Sequence, residues 1–211
     1  MTRSRLFATL LAAGAVSVMT FAAPALAVPL TYYAALTGAA EIPANASPGI
    51  GSATVTFDDD ADTLRVRVTF SDLLAGVTAA HIHCCTAFPL AGTIGVATTT
   101  PTFTGFPSGV TAGEYDHTFD LTLASSFNAP FVTANGGSLE SAGDALGAGL
   151  AAGKAYLNIH TSAFPGGEIR GFLVPEPASL ALFGLALAGL AAARRRWPGQ
   201  RRGTGQGRFA R

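Results

Sequence analysis

A mainly β fold, an antiparallel β-sandwich or small barrel with one short helix, is predicted for the central part of this 211-residue chain. The first observation is alternation. Ala53, Val55 and Phe57 fall on one side of an extended segment, with Thr54 and Thr56 on the other. Leu64, Val66, Val68 and Phe70 alternate with Arg65, Arg67 and Thr69, and Tyr115, His117, Phe119, Leu121 and Leu123 alternate with Glu114, Asp116, Thr118, Asp120 and Thr122. A period of two puts one face of each segment in a core and the other in water. The second observation is composition: Gly, Ala, Thr and Ser abound while Lys is nearly absent, which suits strands joined by tight turns. The third is that helical spacing occurs only once in this region, in Leu139, Ala142, Leu146 and Leu150.

Taken in order, Asp58 to Asp62 separates two alternating runs and reads as a hairpin turn. It lacks the glycine and distal Glu that an EF-hand loop requires. Thr98 to Gly113, rich in Thr, Pro and Gly, is expected to be a long surface loop. The helix is expected over Ser138 to Ala152, with Ser138 or Ser141 as N-cap and Gly153 as the stop. Gly143, Gly147 and Gly149 weaken it, so it should depend on packing against the sheet. Ala155 to His160 and Glu168 to Val174 are the last expected strands. The body from Val28 to Leu173, roughly 145 residues, is one domain's worth and can bury a core without disulfides.

Both ends are set apart. Arg3 and Arg5 precede the apolar run Leu6 to Phe21, and Ala25-Leu26-Ala27 supplies a small-x-small cleavage pattern, so residues 1–27 are expected to be a signal peptide. Val174-Pro175-Glu176-Pro177 precedes a second apolar run, Leu180 to Ala193, closed by Arg194, Arg195 and Arg196. A helix over 178–193 would rise about 24 Å, thin against a hydrocarbon core of about 30 Å. The arginines favour the cytoplasmic side and leave the body outside. Residues 197–211 form a basic cytoplasmic tail.

The formal net charge of zero conceals a division. Between Val28 and Leu173 there are twelve acids and four bases, giving −8, and the remaining bases lie at the two ends. An acidic body argues against a nucleic-acid partner.

His81 and His83 are two apart in an expected strand and share a face, with Ile82 opposite. Tyr156, Asn158 and His160 share a face in another. If the two strands are neighbours, three imidazoles converge, with Glu168 as a possible fourth group, in a set suited to zinc or copper. The competing reading is a structural network in which Glu168 and Arg170 bond to His160, Thr161 or Glu41. His117 sits on an apolar face and is expected in the core or at an edge. Cys84 and Cys85, the only cysteines, can form a vicinal disulfide, ligate beside the histidines or pair with another molecule. No convincing catalytic triad, phosphate loop or paired-carboxylate motif is found.

Four blocks carry a resemblance: Leu36-Thr37-Gly38-Ala39-Ala40-Glu41-Ile42-Pro43, His81-Ile82-His83, Asn158-Ile159-His160-Thr161 and Gly166-Gly167-Glu168-Ile169-Arg170-Gly171. In this order they resemble the CHRD domain, first noticed in chordin and found in bacterial exported proteins. The His-x-His strand is also similar to that of the copper/zinc superoxide dismutase sandwich, a likeness of architecture alone. Pro175-Glu176-Pro177, the apolar run and the arginines (174–196) resemble the PEP-CTERM sorting signal of Gram-negative bacteria. That resemblance implies processing by an exosortase after signal peptidase and a transient membrane stage through the C-terminal helix. The outer surface or extracellular matrix would be the destination. The expected role is a non-enzymatic component binding polysaccharide or protein; the alternative is a metal-binding redox or hydrolytic domain using His81, His83 and His160.

Overall fold

The computed structural model describes residues 28–175. The signal peptide, Glu176 and Pro177 of the sorting motif, the helix expected over 178–193, the arginines and the basic tail lie outside the described residues. Eight strands form one antiparallel sheet: β1 Leu30–Thr37, β2 Ile50–Asp58, β3 Thr63–Ser71, β4 Val77–His83, β5 Gly113–Asp120, β6 Tyr156–Thr161, β7 Ile169–Phe172 and β8 Val174–Pro175. The spatial order is β4-β6-β7-β1-β2-β3-β5, with β8 pairing β1. The expected sandwich or small barrel is a single antiparallel half-barrel sheet, covered on its inner face by helices and a loop rather than by a second sheet.

The alternating runs become β2, β3 and β5, and their apolar residues fill the core: Val55, Val66 and Leu64 are fully buried, with Phe119 nearly so. Their register is continuous, Val55 opposite Val66 and Val66 opposite His117. The turn at 59–62 is held by Asp58, whose Oδ1 accepts from the Ala61 N–H at 3.0 Å. Helix α1 (Ala129–Ala134), which the sequence reading did not mark, begins with Pro130 in its first turn and buries Phe131.

Helix α2 (Leu139–Ala151) fulfils the expectation. Ser138 and Ser141 form a reciprocal capping box, and Gly153, at φ +64°, lies just beyond its C-terminus. Leu146 and Leu150 are fully buried beneath the sheet; burial of each contributes about 2 kcal/mol. The glycines permit close approach. A Cβ on Gly147 would lie 2.7 Å from the Phe57 ring, and one on Gly149 would collide with both sulfurs of Cys84 and Cys85.

The 98–113 segment departs from expectation. Phe103 is fully buried and Phe106 nearly so, stacked among Tyr115, Phe119 and Phe70. The segment also seals the outer edge of β4. The Ile82 and Ala80 N–H groups donate to the hydroxyls of Thr98 (3.0 Å) and Thr102 (2.9 Å), and the Phe103 N–H donates to Ala80 O (2.8 Å). Its threonines are therefore main-chain partners for an edge that would otherwise be left open.

Candidate metal centre

β4 and β6 are antiparallel neighbours, which the sequence could pose only as a condition. His81 lies opposite Asn158, His83 opposite Tyr156 and Ala79 opposite His160. The small Ala79 leaves room for the His160 ring to lean toward His81. One ring nitrogen from each of His81, His83 and His160 lies within 4.8 Å of the other two.

The protonation pattern follows from the partners. His81 Nδ1 lies 3.2 Å from Pro101 O, His83 Nδ1 2.7 Å from Ile94 O and His160 Nδ1 2.9 Å from Pro165 O. A carbonyl oxygen can only accept, so each Nδ1 carries the hydrogen and each neutral ring is left with a lone pair on Nε2. His81 Nε2 and His160 Nε2 are 2.9 Å apart, and His83 Nε2 is buried without a partner among the described residues. Two bare lone pairs at that separation repel unless a proton or a cation lies between them.

A proton is disfavoured. Burial, reinforced by the neighbouring histidines, pushes His81 down to about 3, and burial lowers His83 to about 4 and lowers His160. Neutral imidazoles anchored by carbonyls through Nδ1 are what a first-row metal requires. Tetrahedral zinc with Zn–N of about 2.0–2.1 Å needs ligand nitrogens about 3.3 Å apart, which compares with 2.9 Å between His81 Nε2 and His160 Nε2 and a limit of 4.8 Å across the three.

Glu168 does not join the cluster. It is fully buried, and its carboxylate accepts from Ser47 Oγ (2.6 Å), the Leu74 N–H (2.6 Å) and Thr161 Oγ1 (2.6 Å). Alternation put it beside Arg170 and within reach of His160. In the structure the carboxylate meets Thr161 and not His160. The expected Thr161 contact is present; the fourth-ligand role is not.

Arg170 and Glu41 extend the polar face. Arg170 Nε donates to Ala40 O (2.5 Å) and lies 3.9 Å from Glu41 Oε2, and its guanidinium covers the Tyr156 ring at 4.7 Å. The other face of β6 is apolar, and His83 stacks on Tyr156 at 4.6 Å between centroids. Burial raises the Glu41 carboxyl to about 7 against the opposing pull of Arg170. Cys84 and Cys85 are joined by a disulfide. Cys84 faces the core, on the opposite side of β4 from His83, so the sulfurs pack against α2 and are not in the set of converging ligands. His117 is half-buried beside Phe119 and Tyr115, apart from the three.

The four sequence blocks therefore meet in space, Glu41 with Arg170, Glu168 with Thr161, and His81 with His160. The CHRD domain profile matches residues 32–173, about two thirds of the chain. The chain belongs to the CHRD domain family. A PEP-CTERM protein-sorting motif matches residues 173–196. In this CHRD protein the motif points to export through the membrane to the cell surface of Gram-negative bacteria, with exosortase processing. No curated protein and no solved structure matches the chain. Among the described residues no helix is long and apolar enough to cross a membrane.

The three carbonyl partners, Ile94, Pro101 and Pro165, were not assigned site roles from sequence, whereas the contact of Arg170 with Glu41 was among the bonds expected of a structural network. A main-chain carbonyl has no sequence signature.

Proposed function

We propose that the exported CHRD body is a metal-holding component of the cell envelope, binding one zinc or copper ion through Nε2 of His81, His83 and His160. The supporting observation is that all three Nδ1 hydrogens are committed to main-chain carbonyls, which leaves each Nε2 lone pair free in a group whose ligand atoms lie within 4.8 Å of one another. His83 and His160 are only partly buried, so a fourth position is left for water or a donor atom from a ligand. When bound, the ion supplies a Lewis-acidic centre. The chain's residues hold the ring tautomers, through Pro101, Ile94 and Pro165, and fix His83 against Tyr156.

Elemental analysis and calorimetric titration of the purified chain test this reading. One equivalent of zinc or copper is expected, with affinity falling about 100-fold or more in the His81→Ala/His83→Ala variant and unchanged in His117→Ala. Absence of either metal, or its retention in the double variant, removes the metal reading.

The same body is proposed to be released or transferred by an exosortase at Pro175-Glu176-Pro177. Replacing those three residues should leave the protein in the inner membrane. Normal arrival at the surface would rule that route out.

A further inference from the structure

Both described ends of the chain meet at one pole of the sheet. β8 pairs with the start of β1, Pro175 opposite Tyr32 and Val174 opposite Tyr33. Leu173, two residues before Pro175, is fully buried, and its N–H donates to Ala155 O at 2.9 Å. The chain therefore reaches the sorting motif directly from the folded body, with no linker between them.

Beside Pro175 lies an apolar groove of about 400 Å³ lined by Pro29, Leu30, Thr31, Tyr32 and Ala151. Leu30, 56% exposed, lines it, and Val28, 78% exposed, lines the groove next to it. An adjoining groove adds Phe57, Gly147 and Ala148, rimmed by Asp58, Asp59 and Asp144.

Chain reach decides what covers this surface. Only Glu176 and Pro177 separate Pro175 from Ala178, where the expected membrane helix begins. Three Cα steps span at most about 11 Å. A body tethered this closely cannot hold its exposed Val28, Leu30 and Val174 far from the bilayer.

Resting on the reading that residues 178–193 lie in the membrane, we propose that this pole is a lipid-facing surface of the anchored precursor. Val28, Pro29, Leu30 and Val174 enter the interface of a zwitterionic leaflet. Asp58, Asp59 and Asp144 disfavour anionic headgroups at the rim. The sorting motif is thereby held at the bilayer surface, and processing would expose the pole to water.

The test uses the full chain reconstituted in phosphatidylcholine vesicles with brominated acyl chains. Trp197→Phe removes the single tryptophan, and a reporter is placed by Leu30→Trp, by Val28→Trp or, as control, by Ile50→Trp. Ile50 is exposed and pairs with Thr37, at the far end of β1, about 23 Å from Leu30. Expected is at least twofold stronger quenching and a blue-shifted emission for both pole reporters relative to Ile50→Trp, diminished when a third of the lipid is anionic. Equal quenching in a chain that still floats with the vesicles overturns the proposal and leaves the anchor reading intact. A chain that does not float overturns both. Blue-shifted emission of the pole reporters without bromine quenching assigns the pole to a protein contact and overturns the lipid assignment.

Discussion

The two halves of the sheet use their outer faces in opposite ways. On β2, β3 and β5 the outward side chains stand in water and are simple: Thr54, Thr56, Thr69 and the pair Arg65–Asp116, joined at 2.7 Å with both partners about half exposed. On β6 and β7, both faces are covered, and the outward groups are Asn158, His160 and Arg170. The buried side-chain polar atoms without a partner among the described residues are Glu41 Oε1, His83 Nε2 and Asn158 Oδ1, all on or beside this second face. An orphaned buried polar atom costs about 1–3 kcal/mol. One half is thus built for stability, and the other tolerates a cost where the ring nitrogens converge.

The largest effect that would sharpen this contrast is expected at Glu168. Glu168→Ala removes the acceptor for three buried or partly buried donors, from Ser47, Leu74 and Thr161. A loss of about 3–5 kcal/mol is expected in urea unfolding. The metal affinity of whatever fraction stays folded should hold. A large affinity change with little loss of stability would return Glu168 to the ligand set.

An intermediate effect is expected from pH in the chelator-treated protein. His81 and His83 have folded pKa values below the ordinary 6.5, so their contribution is present above 6.5 and is lost as pH falls toward about 4 and then about 3. Glu41, raised from 4.5 to about 7, acts oppositely: its contribution is present below 4.5 and is lost as pH rises through about 7. Between 4.5 and 6.5 two histidines outweigh one carboxyl, and the urea midpoint should fall on acidification. Glu41→Gln should make that fall steeper. A flat profile in both proteins would contradict the burial assigned to this face.

The smallest effect is expected on the exposed half. Arg65→Ala breaks a bidentate contact with Asp116, at 2.9 and 2.7 Å, yet solvent screens so exposed a pair and little change in the urea midpoint is expected. A midpoint shift as large as that of Glu168→Ala in the same urea assay would mean that the two halves are not so different.

The exposed half was also the legible half. Period-two patterning located β2, β3 and β5 because one face of each meets water, and the capping serines and leucine spacing located α2. The covered half blurs that signal: β6 is buried at five of its six positions, so its strand was legible but its partner was not. Phe103 and Phe106 sit among Thr, Pro and Gly with no periodicity, so their place in the core follows from tertiary packing alone. The histidine convergence was legible from the two-residue spacing once β4 and β6 are neighbours. The placement of Glu168 was legible only in part: its bond to Thr161 was among those expected, whereas its bonds to Ser47 and Leu74 follow from tertiary packing.

The pairing of β4 with β6 also has a temporal consequence. His81 and His160 are 79 positions apart, so two of the three nitrogens exist on the growing chain long before the third can reach them. Closing a loop of that length is entropically costly and depends on the strands between being in place. The three-nitrogen pocket is therefore a late product of folding, and an ion captured there would act as a clasp on an already finished sheet rather than as a seed for it.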